Sequence, residues 1–236
     1  MKILTLITAR GGSKRIPRKN IRILGGKPLI EWSIDVAKGI DSICDTLVST
    51  DDSEVLEIAK NAGAMVPWLR PADLATDTAS SEAVALHALD WYEKEKEPVD
   101  GLLLLQPTSP FRSRETINHG IALFKEHDRR PVVGVSAACS HPLWCLKLEE
   151  GGVKKFVEGS GLNLRSQDLP PAFVINGAFY LITPEDLRRL RSFHAASMVP
   201  LVVNEPRESL DIDTELDWIV ADSILKLENS KITNEL

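Results

Sequence analysis

The chain has 236 residues, 43% of them hydrophobic, and a formal net charge of −6, enough to bury one ordinary core and too little for two full domains. No run of about 18 or more apolar residues occurs, and the opening MKILTLITARGG turns basic where a secretory leader needs small residues, so membrane-spanning and secreted classes are set aside and a cytoplasmic protein is expected. Cys44, Cys139 and Cys145 show no paired spacing, which argues against a disulfide framework.

KILTLITA reads as a buried strand, and the stretch that leaves it, Ile7 to Leu29, carries seven Lys or Arg and no acid. Eight basic residues and no acid fall in residues 1–30, so the other 206 residues must carry −14 for the whole to reach −6. Such a cluster serves as a solvated face, a nucleic-acid patch or an anion pocket. The acidic remainder and the lack of interleaved aromatics disfavour a nucleic-acid surface. Its position, at the carboxyl end of a first strand, favours a compact phosphate site. GGSK lacks the Gly-Lys-Ser/Thr order of a Walker loop, and no G-x-G-x-x-G occurs here. Gly11 and Gly12 would permit positive φ and close backbone approach, with Arg10, Ser13, Lys14, Lys19 and Arg22 as donors to an anion. Lys27 is read as solvated.

LIEWSIDVAKG reads as a helix, DTLVST as a strand, DSEVLEIAKNAG as a helix and MVPWL as a strand, a βαβαβ opening. SSEAVALHALDWYEKEK (helix), GLLLLQ (strand), SRETINHGIALFKEH (helix) and PVVGVSA (strand) continue it. The expected class is α/β: a Rossmann-like, mostly parallel sheet flanked by helices on both faces. Between Cys139 and Phe173 the rhythm breaks into Gly, Pro and polar residues with short apolar runs such as WCLKL. Residues 139–173 are therefore read as an inserted β-type segment or lid within a single domain, 1–236. NGAFYLIT and SMVPLVV resume the strands, and TELDWIVADSILKLE closes the chain as an amphipathic helix. In SLDIDTELD, Asp211 and Asp213 flank one apolar residue, so on an extended segment both carboxylates project to one side. That pair suits Mg²⁺ as two hard oxygen ligands; equally, Asp213 is a natural cap for the closing helix. Glu215 and Asp217 are expected to be solvated on that helix.

ARGGSKRIPRKNI, STDD, RPADLATDTASS, LLQPTSPFR, HPLW with RSQDLPPAF and NGAFY, and DIDTELD occur in this order. The set resembles the bacterial CMP-sialic acid synthetases, the acylneuraminate cytidylyltransferases, along nearly the whole chain. The resemblance implies a Rossmann-like enzyme, usually a homodimer, that joins CTP to a nine-carbon 2-keto sugar acid with Mg²⁺, releasing pyrophosphate; residues 139–173 would then be its dimerisation and sugar-binding element. It implies phosphate contacts from Arg10, Ser13, Lys14 and Lys19, with Asn20 near the nucleotide. Arg70, the Ala79 backbone and Ser81 would meet the cytosine, although Ser80 or Ser81 also reads as a helix cap. Asp77 is read as a loop carboxylate capping that same helix. Asp211 and Asp213 become the metal pair. Arg10, Lys14 and Lys19 would neutralise phosphate charge, and no general base stands out: His87, His119, His127, His141 and His194 lie in no matching motif.

The sugar side is implied by Gln106, Thr108, Ser109, Gln167, Asn176 and Tyr180. Here the chain departs from better-known members. Trp144 stands where some carry Lys, and Ser166 where many carry Arg. Arg165, one residue upstream, would face the other way on an extended segment. A redistributed set is therefore expected, with Arg165 or Lys147 as the carboxylate's cation, and legionaminate-type acids become candidate substrates beside N-acetylneuraminate. Two other classes share parts of the pattern. A D-x-D glycosyltransferase would release no pyrophosphate, and a non-catalytic nucleotide-sensing module would tolerate loss of Asp211.

Overall fold

The structure, a computed structural model, describes residues 1–159 and 161–234. Strand β1 (Ile3–Thr8) leads through the basic loop and a short hairpin, β2 (Ile23–Leu24) and β3 (Lys27–Pro28), into α1 (Leu29–Ala37). Next come β4 (Ile43–Ser49), α2 (Ser53–Asn61), α3 (Ser81–Glu95), β5 (Gly101–Leu104), α4 (Arg114–Glu126) and β6 (Val132–Ala137). The hairpin β7 (Leu146–Glu149) and β8 (Gly152–Lys155) precedes β9 (Phe173–Ile182), α5 (Pro184–Leu190), β10 (Val199–Val202) and α6 (Glu215–Asn234). The main sheet has the order β10-β6-β9-β5-β1-β4.

Both sheet faces are covered, which is why the central strands read as unbroken apolar runs. In β1, Ile3 and Ile7 join the layer under α1, α2 and α4, while Leu4 and Leu6 join the layer under α3 and α5. In β5, Leu103 faces the first layer and Leu102 and Leu104 the second. Side-chain caps start the helices: Asp52 accepts from the Glu54 and Val55 amides, Ser80 from Ala83 and Ser113 from Thr116. From β1 the chain reaches β4 through α1 on one face and β5 through α3 on the other. Strand order reverses at β1, and a crevice opens at the carboxyl ends of β1 and β5.

A third apolar cluster fixes that crevice. Trp218, Ala221 and Leu225 of α6 pack on Ile16 and Leu24 from the basic segment, on Phe111 and on Ile212. The closing helix thus binds the basic loop and the Asp211–Asp213 segment to one another.

The sheet is mostly parallel, as expected, and one strand assignment is corrected. MVPWL forms only a single bridge, Met65 to Leu47, before Pro67. Helix α5, capped by Thr183, was not anticipated. Strand β9 runs antiparallel to both β5 and β6. The reason is the inserted segment, which leaves β6 and re-enters β9 at the same end of the sheet, Ala137 opposite Phe173, with the Ala138 amide donating to the Ala172 carbonyl at 2.9 Å. A chain that goes out and back must descend against the strand it left.

One glycine carries a packing requirement. A Cβ on Gly120 of α4 would fall 2.4 Å from the ring of Phe179, which is buried in β9. Gly120→Ala is expected to destabilise by about 1–3 kcal/mol, the overpacking outweighing the gain in helix propensity. Thermal melting should show a loss of several degrees; an unchanged or raised melting temperature would contradict this packing.

Candidate active site

A cleft of 590 Å³ opens at this crevice. Arg10, Ser13, Lys14, Lys19, Asn20, Arg70, Ala79 and Ser81 all line it, together with Gln106, Thr108, Asp211 and Asp213. Residues from four separate motifs therefore share one cavity.

The basic loop is shaped by backbone contacts rather than by the expected positive φ at Gly11 and Gly12, neither of which lies in that region. Gly11 is needed for close approach. Its amide donates to Asp51 at 3.0 Å, and a Cβ there would meet the Asp52 carboxylate at 2.6 Å. The left-handed residue is Arg18, φ 57°. Asn20, buried, donates its side-chain amide to the Arg10 carbonyl at 2.8 Å and closes the loop.

Every cation of the stretch meets an acid from elsewhere in the chain. Arg10 and Lys14 share Asp77, at 2.6 and 2.5 Å. Arg15 and Lys19 share Asp213, at 2.8 and 3.2 Å. Arg18 pairs with Asp52 at 2.9 Å, Arg22 with Glu215 at 2.7 Å and Lys27 with Asp35 at 2.6 Å. Around the cleft, then, four cations share two carboxylates, and the positive excess faces the cavity. Asp77 is not the helix cap expected of it, since Ser80 takes that role; Arg10 and Lys14 hold its carboxyl below the usual range. Lys27 is not solvated either, for its ammonium also lies 4.4 Å from the Trp32 ring centroid. Glu215 is drawn to Arg22, and Thr214, not Asp213, caps α6: its hydroxyl accepts from the Asp217 amide at 3.3 Å while the Asp217 carboxylate accepts from the Thr214 and Asp213 amides.

On the base side, buried Arg70 donates through Nε to Ser49 Oγ at 3.0 Å and through Nη2 to the Ser49 carbonyl. Burial lowers its pKa, while Asp51 opposes that shift. Ser81 opens α3 on the cleft wall, next to the capping Ser80.

Ile212 is fully buried and both flanking aspartates line the cleft, as the alternation required. The surrounding walls shed water from the Asp211 carboxyl and raise its pKa, and Asp213 and Asp217 push the same way; the Thr108 hydroxyl and Lys19 oppose them. Lys19 ties the two sides together, donating to the Ile212 carbonyl at 2.8 Å. Among the described residues no group of three or more His, Cys, Asp or Glu forms a protein cage for a metal. Two carboxylates on an open wall suit a hard cation that keeps water and substrate oxygens as its remaining ligands.

The remaining sugar-side expectations fall elsewhere. Ser109 is fully buried under the cleft floor, its hydroxyl unpartnered. Asn176 is buried too: its amide donates to Ser136 Oγ at 2.8 Å and its carbonyl accepts from the Ala178 amide, where β9 slips register against β6. Tyr180 is partly buried against Phe193 and His194, its pKa raised by burial and then by Asp211 and Glu82. Lys147, Arg165 and Gln167 stand on the exposed inserted segment, away from the cleft wall. Lys147 pairs with Glu149 and Arg165 with Asp168. Trp144 organises that segment from within, donating its indole N–H to the Gly161 carbonyl at 2.9 Å. Arg15 and Asp77 line the cleft without having been assigned to it, because nothing local marks a residue whose partner lies far along the chain.

Residues 4–140 match the family described as Cytidylyltransferase. The chain is 38% identical over 234 residues to the CMP-N,N'-diacetyllegionaminic acid synthase of Legionella pneumophila, covering 98% of this chain and 100% of that protein. The chain belongs to the cytidylyltransferase family. This cytidylyltransferase is also 34% identical over 221 residues to the N-acylneuraminate cytidylyltransferase of Streptococcus agalactiae serotype V, matching 93% of its own length and 52% of that longer protein. It is 34% identical over 184 residues to the pseudaminic acid cytidylyltransferase of Campylobacter jejuni serotype O:2, covering 78% and 79% of the two chains. A solved CMP:2-keto-3-deoxy-manno-octonic acid synthetase in complex with CTP shares the fold of this cytidylyltransferase, with a TM-score of 0.70 over 97% of this chain and 100% of that one, at 15% identity.

Proposed function

We infer that the protein transfers a cytidylyl group from CTP to the anomeric hydroxyl of a nine-carbon 2-keto sugar acid, giving a CMP-sugar and pyrophosphate. The observation that carries this reading is the single cleft where four cations outnumber the two carboxylates they share and where Asp211 and Asp213 sit on the facing wall. A triphosphate displaces Asp77 from Arg10 and Lys14 and takes up the positive excess. Arg70 and Ser81 offer donors to the cytosine edge. Catalysis rests on positioning and charge neutralisation: Arg10, Lys14 and Lys19 hold the phosphates while Gln106 and Thr108 present the acceptor. Asp211 and Asp213 would hold Mg²⁺, which supplies charge neutralisation and acidifies a bound hydroxyl. No histidine lines the cleft among the described residues.

The full-length similarity to a legionaminate-activating relative, together with Ser166 in place of an arginine, supports a legionaminate-type acceptor. Pyrophosphate release should be measured with CTP, Mg²⁺ and a panel of sialic, legionaminic and pseudaminic acids. The expected result is a kcat/KM for N,N'-diacetyllegionaminate at least about 10-fold above that for N-acetylneuraminate. A preference for N-acetylneuraminate would reverse the acceptor assignment, and release with none of them would overturn the function.

The inserted segment supports a homodimer. Leu148 and Phe156 are 86% and 69% exposed, and Phe173, Val174 and Ile175 follow as three exposed apolar residues. Exposed apolar area of this extent marks an interaction face, and a second copy of the chain is the occupant inferred. Sedimentation should show a species of about twice the 26.1 kDa chain mass at micromolar concentration, and Leu148→Glu with Phe156→Glu should shift it to the monomer. A wild-type monomer would refute the assembly. Three free cysteines support a cytoplasmic setting. Among the described residues no helix is long and apolar enough to cross a membrane.

A further inference from the structure

Arg112 closes the LLQPTSPFR motif, and the reading so far gives it no part. It is 4% exposed. Its Nη1 donates to Ser33 Oγ at 2.9 Å, its Nη2 donates to the Gln106 carbonyl, and its Nε is buried without a partner. Both hydrogen-bond partners are neutral oxygens, and the carboxylates of Asp211 and Glu208 act on the guanidinium without bonding it. Enclosing a guanidinium with a hydroxyl and a carbonyl is unfavourable beside an apolar side chain of similar size. Stability alone therefore does not explain an arginine here.

The carbonyl it holds is a hub. Ser33 Oγ, at 3.4 Å, and the Ser109 amide, at 3.3 Å, also donate to Gln106 O, so three donors converge on one oxygen. On one side of that oxygen Gln106 lines the cleft and its side chain lies against Gly177, where a Cβ would fall 2.9 Å from Oε1. On the other, Thr108 accepts the Ile212 amide on its carbonyl at 2.8 Å, one residue from Asp211. The turn that Arg112 pins thus carries one acceptor-facing amide and the support of one metal-pair carboxylate. Among the described residues no hydrogen bond or ion pair joins it to Arg10, Lys14 or Arg70.

We propose that Arg112 is a positioning residue for the acceptor half of the site, its planar fork on Ser33 and Gln106 setting where the Gln106 amide and Asp211 stand. This rests on the cytidylyltransfer reading above. A lysine keeps the charge but cannot reach both oxygens with a rigid fork, and a displacement of about 1 Å in a positioned group is enough to cost roughly 100-fold.

Arg112→Lys is expected to lower kcat/KM for the sugar acid by about 30- to 100-fold while the Kd for CTP, measured by calorimetry, moves less than about 3-fold. Arg112→Met should match it, because the fork rather than the charge is at issue. Ser33→Ala, which removes one hydroxyl, should show the same selective loss at about 3- to 10-fold and decides the matter if the arginine variants fail to fold. Wild-type kinetics in Arg112→Lys, or equal losses in CTP binding and sugar turnover, would overturn the proposal. If the wild-type protein turned over no nonulosonic acid, the functional reading would fall separately. Amide exchange would then decide: faster exchange at Ser109 and Ile212 in Arg112→Lys supports the pin, and unchanged exchange removes it.

Discussion

Asp211→Asn is expected to lower kcat for pyrophosphate release by about 10²- to 10³-fold, or about 2.7–4 kcal/mol of transition-state stabilisation, with the fold intact. Asparagine keeps the size of the side chain and a carbonyl oxygen for the Thr108 hydroxyl, so little packing is lost. What disappears is the negative charge that, with Asp213, can hold a hard cation against the reacting phosphate. Initial rates over a range of Mg²⁺ concentrations, with a thermal melt beside them, separate the two effects. A variant with near wild-type rates would remove the metal assignment. The carboxyl that the cleft walls raise in pKa is the one predicted to matter more. Proteins commonly keep a group in an unfavourable setting where chemistry uses it.

Lys19→Met should produce the second large loss, and one distinct from that of Lys14→Met. The Lys19 side chain is 14% exposed and that of Lys14 is 72% exposed. Lys19 reaches the Ile212 carbonyl and Asp213 across the cleft, so it both meets a phosphate and ties the basic loop to the acidic pair. Removing a half-buried charge-assisted contact costs about 2–5 kcal/mol, or roughly 30-fold or more in kcat/KM for CTP. Lys14 is solvated and screened, and its loss should be several-fold and fade as salt is raised. Steady-state kinetics at two ionic strengths test this. Equal penalties for the two lysines, or a Lys19 effect that vanishes in salt, would mean that Lys19 is no bridge.

Much of the architecture was legible along the chain. Leu4 and Leu6 against Ile3 and Ile7, and the run GLLLL, announce strands buried on two faces because a period of two with apolar residues at every position admits no solvent face. Ser80, read with Ser81 as a cap for its helix, does cap it through a bond that spans three residues. The basic stretch could be placed at a strand's carboxyl end, and the alternation in DID put both carboxylates on one wall with Ile212 buried. All these are short-range relations.

What the sequence by itself determined about this protein is thus most of its elements and the identity of most cleft-lining residues, since local periodicity and motif order are written in neighbouring positions. Only the tertiary structure decided which acid meets which cation: Arg10 finds Asp77 across 67 residues, and Arg15 finds Asp213 across 198. It decided that β9 runs antiparallel, because an out-and-back insertion returns the chain at the end it left. It sent Ser109 and Asn176 into the floor and set Lys147 and Arg165 on the exposed insert, though all four had been read as sugar contacts. It also buried Arg112 on a carbonyl. A side chain's partner depends on which distant segments the hydrophobic layers bring together, and no local pattern in the chain encodes that meeting.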